Sequence, residues 1–313
     1  MRNVINTTHI EGKLYEHNLT LKTSGPNSKA PGTEFITGTV SVATDDACTN
    51  VVSVHFTYVT AITAKGGANA TFNLLKSIID KNTKSIMEHG ADEANYIRID
   101  SAIGLNEFYS DRSGKEELVS AKRNEGGFVH PMAANDLRSE NERNTFKCNM
   151  LITGVTLKEA DEEKGLAEKA IVKGAIFDFR KSLLPVEFSV SDPGGIDYFM
   201  GLGASQSEPV FTRLQGRLVS EVVTRTVTEE SAFGEPSVRE VKNTRKDYVV
   251  TWGAKEPYVW DDESTMTAAE VNEAMKAREL TLAAMKTRQD EYKASKGAVP
   301  AKATVPTNSS FNF

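Results

Sequence analysis

Two stretches far apart in the chain share a strand pattern interrupted by a glycine: Phe35-Ile-Thr-Gly38-Thr-Val40 and Ile171-Val-Lys-Gly174-Ala-Ile176. Glycine weakens a strand, so its place inside an apolar, alternating run marks a bulge or a sharp bend. Small barrels need such bends in order to close. A second echo follows in each half, Tyr96-Ile-Arg98-Ile99 and Phe211-Thr-Arg213-Leu214, with an aromatic and an arginine on one face of a strand. The pairs read as one unit used twice, and 313 residues suffice for two domains of ordinary size.

The order of elements within each half follows from periodicity. Gly12 to Leu21 reads as a strand, and a turn-rich stretch with Gly25, Pro26, Pro31 and Gly32 comes next. Phe35 to Ala43 and Val51 to Val59 alternate around the polar Asp45-Asp46 turn, as a hairpin does. In Thr71 to Ile79 the period lengthens, and Phe72, Leu75, Ile78 and Ile79 share a helical face. Strand patterning returns at Tyr96 to Ile103 and around Leu118 to Ala121. The second half repeats the order: strands at Phe146 to Leu157, Ile171 to Phe179 and Val186 to Val190, a short Ile196 to Leu202 segment, then strands at Phe211 to Thr226 and Val241 to Trp252.

Beyond residue 255 the composition changes. Thr267-Ala-Ala-Glu270 has capping-box spacing and opens a helix expected to reach about Ser295. Val271, Met275, Leu282, Met285 and Tyr292 form its apolar stripe, which Arg278 and Gln289 interrupt. The Pro-, Ala- and Ser-rich end is expected to be mobile. The domains are therefore drawn as residues 1–135, a first barrel; 136–255, a second; 256–296, the helix; and 297–313, a flexible tail. The fold class is mainly β.

Charge restrains the functional reading. The chain carries a net charge of −6, which disfavours a general polyanion binder. Yet residues 1–135 hold 13 basic against 15 acidic side chains, and residues 136–255 hold 17 against 19, so either half can carry a local basic groove. The two cysteines, Cys48 and Cys148, have no ligand-spaced neighbours, which argues against a disulfide framework or a zinc site. The N-terminus lacks the apolar core of a secretion signal, and no apolar run is long enough to span a bilayer. A cytoplasmic protein with no membrane association is expected.

Strand, strand, strand, short helix, strand, strand is the order of the five-stranded oligonucleotide-binding barrel. Both halves resemble it over roughly residues 10 to 253. Together with the helical tail and the aromatic Phe311-Asn-Phe313 tip, they resemble the single-stranded DNA-binding proteins of bacteriophages and some bacteria. The resemblance implies single-stranded DNA as ligand, a part in replication or recombination, and replication proteins as partners, although Thr307 to Ser310 beside the tip are uncharged.

Sequence-tolerant binding needs rings for bases to stack on and cations along the phosphates. In the second half the candidates are Phe177, Phe179, Arg180, Lys181, Phe211, Arg213, Arg217, Arg245, Lys246 and Tyr248. The first half offers Tyr58, Tyr96 and Arg98, with Phe56, Phe108, Tyr109, Lys122 and Arg123 as further members. A ring at alternating spacing in a barrel belongs to the core more often than to a stacking surface, and sequence does not tell the two faces apart.

A search for chemistry returns nothing comparable. The chain has no phosphate-cradling Gly-rich loop with Lys-Ser/Thr, no nucleophile elbow and no His-Glu-x-x-His. Gly201-Leu-Gly203 reads as a turn, and the five histidines are scattered. No cofactor or metal is expected, nor catalysis. The competing reading is a structural or assembly protein, such as a virion component, that uses its barrels and helix for protein contacts.

Overall fold

The computed structural model describes residues 4–112, 114–160, 167–229, 233, 237–259 and 266–297; for 221–229, 237–245 and 296–297 it describes the backbone alone. Apart from Gly297, which ends the C-terminal helix, the expected flexible tail lies outside these residues. In chain order the elements are β1 (Asn6–His17), β2 (Thr20–Thr23), β3 (Glu34–Ala43), β4 (Val51–Thr60), α1 (Ala70–Ile79), α2 (Ile86–His89), β5 (Tyr96–Ser110) and β6 (Glu117–Met132). They continue with β7 (Asn144–Lys158), β8 (Lys169–Phe177), β9 (Leu183–Val190), α3 (Pro193–Gly201), β10 (Val210–Glu229), β11 (Ser237–Gly253) and α4 (Ala268–Gly297).

Pairing closes two barrels. In the first, β1 pairs with β3, β3 with β4, β4 runs parallel to β6, β6 pairs with β5, and β5 returns to β1. In the second, β7, β8, β9, β11 and β10 repeat that circuit, with β9 and β11 as the parallel pair. A helix separates the third and fourth barrel strands in each: α1 in one, α3 in the other. The architecture is two tandem oligonucleotide-binding barrels with a C-terminal helix. The glycine pattern has a steric basis. At Gly38 (φ 133°) a Cβ would fall 2.7 Å from Asn18 O, and the β3–β4 register shifts beside it. At Gly174 a Cβ would fall 2.0 Å from Leu151 O.

The barrels are joined through their first strands. β1 and β7 pair antiparallel from Asn6↔Cys148 to Ile10↔Asn144, centred on Thr8↔Phe146. That ladder is symmetric: Tyr96 sits opposite Lys13 and Phe211 opposite Leu151, so the aromatic-x-arginine motif takes corresponding places in both barrels. Ile10, Val54, Ile97, Met150, Val172 and Leu214 are fully buried in one apolar cluster that runs through both interiors. Each such side chain contributes roughly 1.5–3 kcal/mol relative to exposure.

Polar pins reinforce the junction. Ser220 N donates to Asn50 Oδ1 at 2.6 Å, Asn50 Nδ2 donates to Leu218 O at 3.2 Å, and Arg143 pairs with Asp46 at 2.6 Å. Lys122 of β6 reaches across to the rings of Phe188 and Tyr248, 5.3 and 4.9 Å from their centroids, and donates to Glu187 O. Burial holds its pKa below the ordinary lysine value.

Helix α4 opens with the expected capping box: Thr267 N donates to Glu270 Oε2 at 3.1 Å, and Glu270 N to Thr267 Oγ1 at 3.3 Å. Of the expected stripe, Val271 belongs to the buried docking face, and Leu282 and Met285 are half-buried. Met266, Val271 and Ala274 are buried against Leu151, Ala175, Phe177, Leu183 and Phe211 on the outside of the second barrel. Met275 and Tyr292 face solvent. The two polar residues that break the apolar pattern anchor the helix onto the first barrel, beside the ion pairs of Lys286 and Lys293 with Glu116. Arg278 grips Glu107 at 2.5 and 3.2 Å, and Gln289 donates to Tyr109 O at 2.9 Å. The helix thus straps the outer face of one barrel to the β5–β6 hairpin of the other.

Candidate nucleic-acid interface

An open groove of about 1620 Å³ runs along the junction of the barrels. The start of β1 (Asn6 to His9), the middle of β5 (Asp100 to Leu105) and Thr145 and Lys147 of β7 line it. The end of β4, residues 125–128 of β6, and the β8–β9 turn complete it. Three exposed rings stand on it: Tyr58, Phe128 and Phe179, with 51%, 67% and 89% of their surface open.

Local structure explains each exposure. Phe179 sits in a turn that Asp178 ties together by accepting from Arg180 N at 2.8 Å and Ser182 N at 2.7 Å, and Lys181 turns left-handed at φ 66°. That geometry lifts the ring off the barrel and leaves the Arg180 guanidinium 5.1 Å from its centroid. Phe128 follows Gly126 and Gly127, both at positive φ (61° and 98°). A Cβ on Gly127 would fall 2.0 Å from Asp100 O, so only glycine permits this crossing, and a register shift between Asp100 and Ala102 accompanies it. Tyr58 leans on Phe35, with centroids 4.5 Å apart, and meets Ser24 Oγ at 3.2 Å.

The groove holds acidic side chains, but they are engaged. His9 and Arg98 bracket Asp100 at 2.8 and 3.0 Å. Glu107 holds Arg278, Glu125 pairs with Arg123, and Asp178 accepts from its own turn. Lys147 and Arg180 have no carboxylate partner among the described residues. Despite the acidic chain, this groove offers unpaired positive charge next to exposed rings.

The structure divides the sequence candidates. Phe179, Arg180 and Tyr58 lie on the groove, and Lys181 is exposed beside it. Phe177 and Phe211 are 1% and 2% exposed: they lie on the outer face of the second barrel, and α4 covers that face. Neither ring is open to stack. Tyr248 is a correction of another kind, since it points inward, packs on Phe146 and donates to Asn124 Oδ1 at 3.1 Å. Burial pushes its phenol pKa well up.

Arg217 is committed to Asn144, Asn141 and Glu140 O, so it fixes the connection between the barrels. Arg213 stacks on Trp252 at 5.4 Å, away from the groove lining. Lys246 is exposed, and the Arg245 side chain lies outside the described residues. Tyr96 is half-buried beside Lys13, and Arg98 belongs to the Asp100 cluster. Among the further members, Phe56 is core, Phe108 is exposed, Tyr109 lies under Lys286, Lys122 is the junction pin, and Arg123 is paired. Sequence reasoning missed Phe128 and Lys147. The Gly126-Gly127 pair marked the first, and alternation against buried Phe146 and Cys148 marked the second.

Among the described residues, no His, Cys, Asp and Glu grouping is suited to a metal ion, and no helix is long and apolar enough to cross a membrane. A family model described as YorF matches residues 5–288. The chain belongs to the YorF family. The match runs through both barrels and most of α4. No curated protein matches the chain. Among solved structures it is similar to a deletion mutant of the single-stranded DNA binding protein from Thermus aquaticus, with a TM-score of 0.48 and 9% identity. That similarity covers 84% of this chain and 98% of the other.

Proposed function

We propose that this YorF-family chain binds single-stranded DNA without catalysing a reaction, and that the junction groove is where the strand lies. The observation that carries this is the convergence of Tyr58, Phe128 and Phe179 with Lys147 and Arg180 on one open groove. Rings give sequence-tolerant stacking, and unpaired cations give the phosphate term. The coating of transient single strands during replication or recombination, in the cytoplasm and with replication proteins at hand, is the role this chemistry suits. We take residues 1–135 and 136–255 as the two modules that form the groove between them.

The test is replacement of Phe128 and Phe179 by alanine, singly and together, with binding to labelled oligo-dT followed by fluorescence anisotropy. Each stacked base is worth about 1–3 kcal/mol, so each substitution is expected to weaken binding roughly tenfold. Both rings are exposed, so thermal stability should be unchanged. Full binding by the double variant would place the strand elsewhere.

A further inference from the structure

The groove does not end at Phe128. Cross-strand pairing lays out rows on the outer face of β1, β5 and β6: His9–Asp100–Phe128, then Glu11–Arg98–His130, then Lys13–Tyr96–Met132. The first row borders the groove. The second opens into a separate concavity of about 480 Å³ lined by Glu11, Arg98, His130, Pro131, Met132, Asp136 and Arg138. Arg138 lines both, and so forms the saddle between them.

The charges there are set for an anion. Glu11 is 1% exposed, and its carboxylate is occupied by His9 at 2.8 Å and by Arg138 N at 2.6 Å. The Arg138 guanidinium lies 4.0 Å from it and is left largely open. Arg98 Nε lies 3.0 Å from Asp100 but makes no hydrogen bond there, and its two terminal nitrogens meet no acceptor among the described residues. His130 stands beside it in the same row. Asp136 is the one remaining carboxylate of the lining, and it is exposed to solvent at the rim. In the next row Lys13 sits 5.5 Å from the Tyr96 ring.

We propose that this concavity is a second subsite, which takes backbone phosphate of a single strand as it leaves the groove across Arg138. Arg98, Arg138 and His130 hold the phosphate, and Tyr96 is the next surface for a base. This rests on the groove being the strand's primary site. It adds a direction: the strand continues over the first barrel, whereas the corresponding face of the second barrel is closed by α4.

The experiment compares two oligo-dT probes, one of about 8 nucleotides, sized for the groove, and one of about 30, long enough to cross the saddle. The variant carries Arg98→Gln and His130→Gln in the full chain. Asp100 keeps His9 as its partner in that variant, and a melting curve checks the fold. The long probe is expected to lose affinity roughly tenfold at low salt and to show a salt slope shallower by about 0.7 per lost phosphate contact. The short probe should bind as to the unmodified protein. Equal loss on both probes, or no loss on the long one, overturns the second subsite while leaving the groove in place. Failure of the unmodified protein to bind either probe overturns the groove and this subsite together.

Discussion

The contact that holds α4 to the first barrel gives a quantitative handle on the whole architecture. Arg278 and Glu107 are 16% and 11% exposed, meet at 2.5 Å, and Arg278 also donates to Leu183 O at 3.2 Å. Replacing Arg278 by alanine leaves the Glu107 carboxylate in a mostly dry site without its cation. Breaking a fully buried pair costs about 3–5 kcal/mol, and the residual water access here brings that down to about 2 kcal/mol. Because α4 packs on the outside of the barrels, the cost should appear as local opening of the helix, not as loss of either barrel. Hydrogen exchange of amides 271–290 should therefore accelerate roughly thirtyfold, with the amides of β3, β4 and β8 unchanged. Adding Glu107→Leu should restore most of the protection, since neither charge then remains unpaired. Unchanged exchange in the single variant, or a double variant worse than the single, would refute the view of Arg278 as the anchor of the strap.

Three further outcomes follow from the same geometry. Gly127→Ala should destabilise the protein by more than about 1 kcal/mol in urea unfolding and weaken oligonucleotide binding, because a Cβ would strike Asp100 O and shift Phe128. Tyr248→Phe should cost about 1–2 kcal/mol in the same measurement, as Asn124 Oδ1 loses a buried donor. Asp247 is pushed up by burial, yet its hydrogen bonds and the Lys169 ion pair at 3.1 Å outweigh this and hold its pKa below the usual carboxylate value. A carboxyl depressed on folding stabilises above its unfolded pKa, near 3.9, and that stability is lost as pH falls through the folded value. Unfolding midpoints of the unmodified protein should thus fall more steeply below pH ~4 than those of Asp247→Asn.

The barrels were legible because closure is written in local chemistry. The Gly38 and Gly174 bends, the period change at Phe72 to Ile79 and the paired aromatic-x-arginine strands are all consequences of backbone crossing and alternation. The site was legible only in part, since alternation assigns a residue to a face without revealing what covers that face. Phe177 and Phe179 lie two residues apart, but one is the floor under α4 and the other the tip of a turn that Asp178 organises. The covering element gave its own hint. Arg278 and Gln289 look like defects in an apolar stripe until Glu107 and the Tyr109 carbonyl are placed opposite them. Likewise the net charge concealed the unpaired cations Lys147 and Arg180 on the groove, and Glu107 on the same groove is held by Arg278 from far away in sequence.

The most direct test of single-strand binding in the groove is a titration of labelled oligo-dT at increasing salt, with the unmodified protein and the Phe128→Ala/Phe179→Ala variant side by side. The account predicts binding at low salt that weakens linearly on a logarithmic scale, by about 0.7 per phosphate contacted, and a variant displaced to weaker affinity with the same slope. Absence of binding at micromolar protein and low salt, or a variant indistinguishable from the unmodified chain, would contradict it.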